Sequence, residues 1–220
     1  MAVAMTFTTL QTMLQSYLER GTPSDTTVYQ SLPQLINTAE RAIARQFKIQ
    51  GFIQNVVNQL QAGMPVYQKP DRWRLTVSMN YGTVSTLDPN NQNFREPIFP
   101  RSLEYCQTYW PDQSLTGPPE FYADYSYSYW LIVPTPDIAY PWSVNYYQLP
   151  PLLDASNQTN WLTDFCPNLL LYRALLECTP FLKDDERVNT WRQFYQEELA
   201  AVTQEDMQKA ADRSTTRNES

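Results

Sequence analysis

The sequence predicts an α+β protein: a four-helix bundle formed by an N-terminal and a C-terminal helix pair, with a strand-rich, mainly antiparallel β domain inserted between them. Three observations lead there. Apolar residues recur at helical spacing near both ends of the chain. Between them, residues 51–150 lose that period, hold most of the 17 prolines and contain several short runs of strand-forming residues. Finally, neither helix pair can bury both of its faces alone. The expected boundaries are 1–50 for the first pair, 51–153 for the β domain, 154–202 for the second pair and 203–220 for a tail.

In order along the chain, Phe7, Leu10, Leu14, Tyr17 and Leu18 share one face of a helix over 7–19, with Gly21 as its stop. "TPSDTT" reads as a loop. Pro33 suits the first turn of a second helix over about 33–48, whose stripe is Leu35, Ile36, Ala39, Ile43 and Phe47. Strands are expected at 52–60, 64–68, 74–80, 121–125, 130–134 and 143–149, bounded by turn signals such as "KPD", "DPNN" and "PTPD". A short helix at about 101–108 interrupts them. Helical spacing returns at 167–179, closed by Pro180. A last helix begins near Asp184, with Asp184, Asp185 and Glu186 in its electropositive first turn and Val188, Trp191, Tyr195, Leu199 and Val202 as its buried stripe. Beyond Val202 only Met207 continues that stripe, so the tail is expected to fray without a partner in its own chain.

The residue inventory excludes most chemistry. There is no histidine among the 220 residues, which removes the commonest general base and zinc ligand. Five glycines form no phosphate-binding loop, and the four lysines sit in no recognisable motif. Neither a cofactor nor a metal is expected, and the chain reads as a non-enzyme. Glu120 and Asp124 are the one carboxylate pair that could serve a glycosidase. "KDDER" (183–187) reads as helix capping rather than a metal site. The formal net charge is −7, spread as +2 over 1–70, −4 over 71–150 and −5 over 151–220, which argues against a nucleic-acid grip. Cys106, Cys166 and Cys178 read as reduced core thiols of a protein made in the cytoplasm, and two glycosylation sequons as chance matches. No apolar run reaches the ~20 residues of a membrane span, and the first fifteen residues do not read as a signal peptide.

The densest feature is "FYADYSYSYWLIVPTPDIAYPWSVNYYQLPP" (121–151), with 10 of the 30 aromatic residues. On an extended strand Tyr125, Tyr127 and Tyr129 share one face, and proline pairs stiffen the strand ends. Such a face suits packing within or between subunits. It also suits stacking of a carbohydrate, and a carbohydrate-binding or cell-wall-degrading module is the alternative reading.

"RSLEYCQTYWPD" (101–112), the aromatic stretch through Leu153, "TNWLTDFCPNLLLYRALLECTPFLKDDERVNTW" (159–191), "SLPQLINTAERAIARQF" (31–47) and "GMPVYQKPDRWRLTVSMN" (63–80) occur in the order seen in the adaptor (head–tail connector) proteins of tailed bacteriophages, which the chain resembles over roughly 5–200. The resemblance implies a ring of about twelve copies in the virion beneath the portal. Tail, nozzle or fibre components dock on that ring, and DNA passes through it unbound. It carries over no catalytic motif. The partner contacts expected on this reading are Tyr125, Tyr127 and Tyr129 in the β domain, and Met207, Lys209, Arg213 and Arg217 in the tail, which would order against the portal.

Overall fold

In the computed structural model the described residues are 5–46, 50–82, 95–182 and 186–215. They form six α-helices and nine β-strands. The chain divides into two compact units, one of residues 1–52 with 149–220 and one of residues 53–148.

In the first unit, helix α1 (Phe7–Leu18) starts at a reciprocal cap between Thr6 and Thr9 and buries Phe7, Leu10, Leu14 and Leu18. It ends with Glu19 in the left-handed region (φ 54°), one residue earlier than its spacing implied. Helix α2 (Thr26–Gln46) begins well before Pro33, which lies inside it. The correction has a packing cause. Val28 and Leu32 extend the stripe of Ile36, Ala39 and Ile43 backwards, and burying them outweighs the ~3 kcal/mol that an internal proline costs. Residues 47–48 of the expected helix lie outside the described residues.

Helix α4 (Trp161–Phe165), invisible in the sequence pattern, is one turn capped by Asn160, whose side chain accepts from Leu162 and Thr163 N–H. It leads into α5 (Pro167–Glu177), with proline at the first turn and Leu169, Leu170, Leu171, Ala174 and Leu175 buried. The last helix, α6 (Arg187–Thr215), buries Trp191 and Tyr195; positions 183–185 of its expected start lie outside the described residues.

These helices do not form the expected four-helix bundle. Helix α5 is the hub, and α1, α2, α4 and α6 all pack against it. Its side chains are apolar on nearly every face, so it takes several neighbours where a bundle helix offers one stripe.

In the second unit, seven strands form one mixed sheet in the order β1-β9-β3-β4-β6-β7-β2. They are β1 (Ile53–Gln59), β2 (Val66–Gln68), β3 (Trp73–Gly82), β4 (Arg95–Pro100), β6 (Phe121–Asp124), β7 (Tyr129–Val133) and β9 (Pro141–Gln148). A separate parallel pair joins β5 (Thr116–Gly117) to β8 (Thr135–Pro136). The sheet is mixed because β4 and β6 run parallel, joined by a crossover that carries α3 (Leu103–Tyr109). The short helix expected at 101–108 is thus the element that introduces the one parallel pairing into a seven-stranded sheet whose other neighbours pair antiparallel. Strands β4, β5 and β8 have no counterpart among the expected strands, and the "DPNN" turn lies outside the described residues.

Strands β6 and β7 are buried on both faces. Tyr122, Trp130 and Ile132 point to the main core with Tyr67, Met79, Trp142 and Val144. Ala123, Leu131 and Val133 point to α3 through Cys106. Strands β9 and β7 are separated by three others in the sheet, yet Trp130 and Trp142 meet edge to face at 5.7 Å, so the sheet curls onto an aromatic core.

Candidate functional site

The sequence-selected tyrosines do not share a strand face. The last ladder pair of β6 and β7 is Asp124 with Trp130, and residues 125–128 form the turn between them. Tyr125 N–H and Ser126 N–H both donate to Tyr129 O, at 3.1 Å, closing the hairpin. Serines at 126 and 128 favour a turn over continued pairing. Tyr125, Tyr127 and Tyr129 are nonetheless exposed, at 48, 78 and 42%.

A lysine that no motif singled out holds this tip. Lys69 lies in the β2–β3 connection with its side chain only 2% exposed. Its N–H donates to Ser128 O at 2.8 Å, and its Nζ donates to Asp124 Oδ1 at 2.7 Å and Ser126 O at 2.8 Å. The same Nζ sits 3.6 Å from the centroid of the Trp73 ring, and Tyr127 packs edge-on to that ring at 6.4 Å. Asp124 is therefore the counter-ion of a buried lysine. Glu120 is at the other end of β6, accepting from Tyr109 Oη at 3.1 Å. Three residues lie between them, which puts their backbones about 13 Å apart, and each carboxyl is engaged by a different partner, Tyr109 for Glu120 and Lys69 for Asp124.

Beside β4 lies a groove of about 530 Å³ lined by Tyr81, Glu96, Phe99, Arg101, Pro118 and Glu120, among others. Tyr81 Oη donates to Glu96 Oε2. Burial, with that bond second, pushes the Tyr81 hydroxyl well above the ordinary phenol range. The bond to Glu120 raises Tyr109 as well. The Arg101 guanidinium lies 5.2 Å from the Phe121 ring centroid and 5.5 Å from that of Tyr105.

In the first unit Glu40 is fully buried. Its Oε1 accepts from Asn160 Nδ2 at 2.5 Å and its Oε2 from Leu153 N–H at 3.1 Å. Asn37, with its amide nitrogen turned inward, donates to Glu40 Oε2 and Leu153 O at 3.0 Å each. Burial raises the Glu40 carboxyl to about 7 against these hydrogen bonds and the nearby Arg41 charge. Glu40 secures α2 to the segment leading to α4. It sits next to Arg41 in a helical run that otherwise resembles a solvated face, and only the absence of a pairing lysine or arginine one turn away hints at burial.

Helix α6 continues for five turns past Tyr195, the last fully buried side chain among its described residues. Leu199 and Val202 are half-buried and Met207 is 67% exposed. Lys209 and Arg213 lie on this helix, but their side chains, and Arg217 altogether, fall outside the described residues. Cys106, Cys166 and Cys178 are buried and unbridged, and burial pushes Cys178 up to about 12. Among the described residues no group of three or more acidic or thiol side chains is placed to hold a metal, and no helix is long and apolar enough to cross a membrane.

The β unit thus presents a clamped aromatic tip and a groove with two carboxylates, and the helical unit ends in a long helix. No curated protein matches the chain. The family described as SU10 adaptor protein matches residues 5–218, nearly the whole length. The chain is a member of this phage adaptor family.

Proposed function

We propose that the protein is a structural adaptor of the virion, forming a ring of about twelve copies beneath the portal. Tail components dock on that ring and DNA passes through it. The observation that carries the reading is α6. A 29-residue helix is about 43 Å long, and past Tyr195 its apolar positions go from half-buried at Leu199 and Val202 to exposed at Met207. A helix that outruns its own core is suited to docking along a larger neighbour, and the portal is that neighbour. The exposed tip Tyr125–Tyr129 is the corresponding contact for a tail component. The net charge of −7 fits passage of DNA without adhesion. The role asks no catalysis of the chain.

The test is binding of purified full-length chain to its portal ring, compared with a chain lacking 203–220. The expected result is capture of the full chain and loss of capture in the truncated one, with unchanged thermal unfolding. Equal capture of both would refute the role given to α6.

The carbohydrate reading is the weaker one: Tyr122, Trp130, Trp142 and Tyr146 are core residues, and Glu120 and Asp124 are held by Tyr109 and by the buried Lys69.

A further inference from the structure

The groove beside β4 holds two carboxylates without a cation of their own. Glu96 and Glu120 each accept a phenol hydroxyl on Oε2, from Tyr81 and Tyr109. Among the described residues neither forms an ion pair. The phenols do not relieve the charge, because both are shifted upward and remain protonated donors. Arg101 lines the same groove, but its guanidinium lies over Phe121 and Tyr105 instead of bridging the carboxylates. The remaining walls are Pro97, Pro118, Pro119 and Phe99, the last 52% exposed. Fixed carboxylates beside flat apolar walls suit a guanidinium, which can bond an acid through its edge while its face lies on a ring.

The chain carries a matching surface elsewhere. Helix α2 has three charged residues, of which Glu40 is buried and Arg41 and Arg45 are exposed. The two arginines are four apart, so they stand one above the other about 6 Å apart on one face. Neither makes an ion pair among the described residues. The other exposed positions of that face, Gln34 and Thr38, are uncharged. Two copies of a chain with net charge −7 repel each other overall, so a contact between copies needs a local pairing of opposite charge.

We propose that the Glu96–Glu120 groove receives Arg41 and Arg45 of a neighbouring copy. The contact joins two different surfaces, so it repeats head to tail and gives a ring where its rotation closes, whereas a two-fold contact would stop at a dimer. It rests on the ring reading above and names the surfaces through which the ring would close.

Ring formation by the full-length chain, alone and with its portal, is measured by native mass spectrometry at two salt concentrations. Reversing the groove (Glu96→Lys with Glu120→Lys) or the helix (Arg41→Glu with Arg45→Glu) is expected to cut the ring fraction about tenfold or more. The four substitutions together restore it to within about threefold. The milder pair Glu96→Gln with Glu120→Gln keeps an acceptor for each phenol. It is expected to fold as the parent does while lowering the ring fraction and flattening its salt dependence. Rings unaffected by either reversal, or a fourfold variant no better than the single-sided ones, overturn the contact and leave the ring reading standing. A parent chain that stays monomeric in both settings removes the ring reading and the contact with it.

Discussion

Glu40 makes the stability of the helical unit depend on pH in a direction opposite to that of most carboxylates. Its carboxyl titrates at about 7 in the folded chain against an ordinary value of 4.5, because burial outweighs the hydrogen bonds from Leu153 and Asn160. A carboxyl raised on folding binds a proton more tightly in the folded state. Stability is therefore full below about pH 4.5 and falls as pH rises toward 7. Each tenfold gain in proton affinity on folding is worth about 1.4 kcal/mol, so the whole loss is at most about 3 kcal/mol. The isosteric change Glu40→Gln removes the titration. It also leaves one donor facing Leu153 N–H or Asn160 Nδ2, at a cost of about 1–3 kcal/mol that does not vary with pH. The assay is urea unfolding of parent and variant at several pH values from 4 to 8. The parent's advantage over Glu40→Gln is expected to shrink by about 3 kcal/mol between pH 4.5 and pH 8. A difference constant across that range would show that Glu40 is ionised throughout, and would refute the argument from burial.

Lys69→Met removes the donor to Asp124 and Ser126 O while keeping the apolar stem. It is expected to cost about 1–3 kcal/mol and to speed amide exchange in residues 125–128 far more than in α5. Gly51→Ala would drive a Cβ into the Trp161 ring, so its thermal midpoint should fall by an amount corresponding to about 1–3 kcal/mol. Cys106, Cys166 and Cys178 are each at most 6% exposed. A thiol reagent at pH 8 should label none of them quickly in the folded chain and all three in denaturant.

Which parts of this fold could be read in advance follows from the range of the forces involved. Helices α1, α2, α5 and α6 are visible because their stripes repeat locally, and β1, β3, β7 and β9 because their runs are bounded by prolines or turns. The hub role of α5 is a property of four partners far apart in sequence, and nothing in its apolar run says how many faces will be covered. Strand β4, "REPIFP", escapes a pattern reading because two prolines argue against a strand. Its pairing with β6 depends on α3 crossing over first. At the tip, alternation places Tyr125, Tyr127 and Tyr129 on a strand, whereas the hairpin closes at Asp124 and Trp130. Lys69 and Glu40 are nearly silent in the sequence because the polar partners that hold them include ones 55 and 113–120 positions away.

The clamp on the tip bears on what an adaptor must do. A surface that joins a large assembly loses the freedom of each side chain and loop it orders, at about 0.5–1.5 kcal/mol per mobile side chain. A lone hairpin tip with three exposed tyrosines would be the most costly kind to order. Here Lys69 binds the turn at three points from beneath, and Trp73 supports Tyr127 from the side, so the ordering is done by folding of the β unit before any partner arrives. Helix α6 applies the same principle differently, since its C-terminal half continues a helix already nucleated against α5 and needs no new start. The carboxylates of the groove are likewise pinned by phenols. On the proposed role, the affinity of these surfaces for partners would depend on contact chemistry, which substitutions at Tyr127, Met207 and Glu120 can probe one at a time without unfolding what presents them.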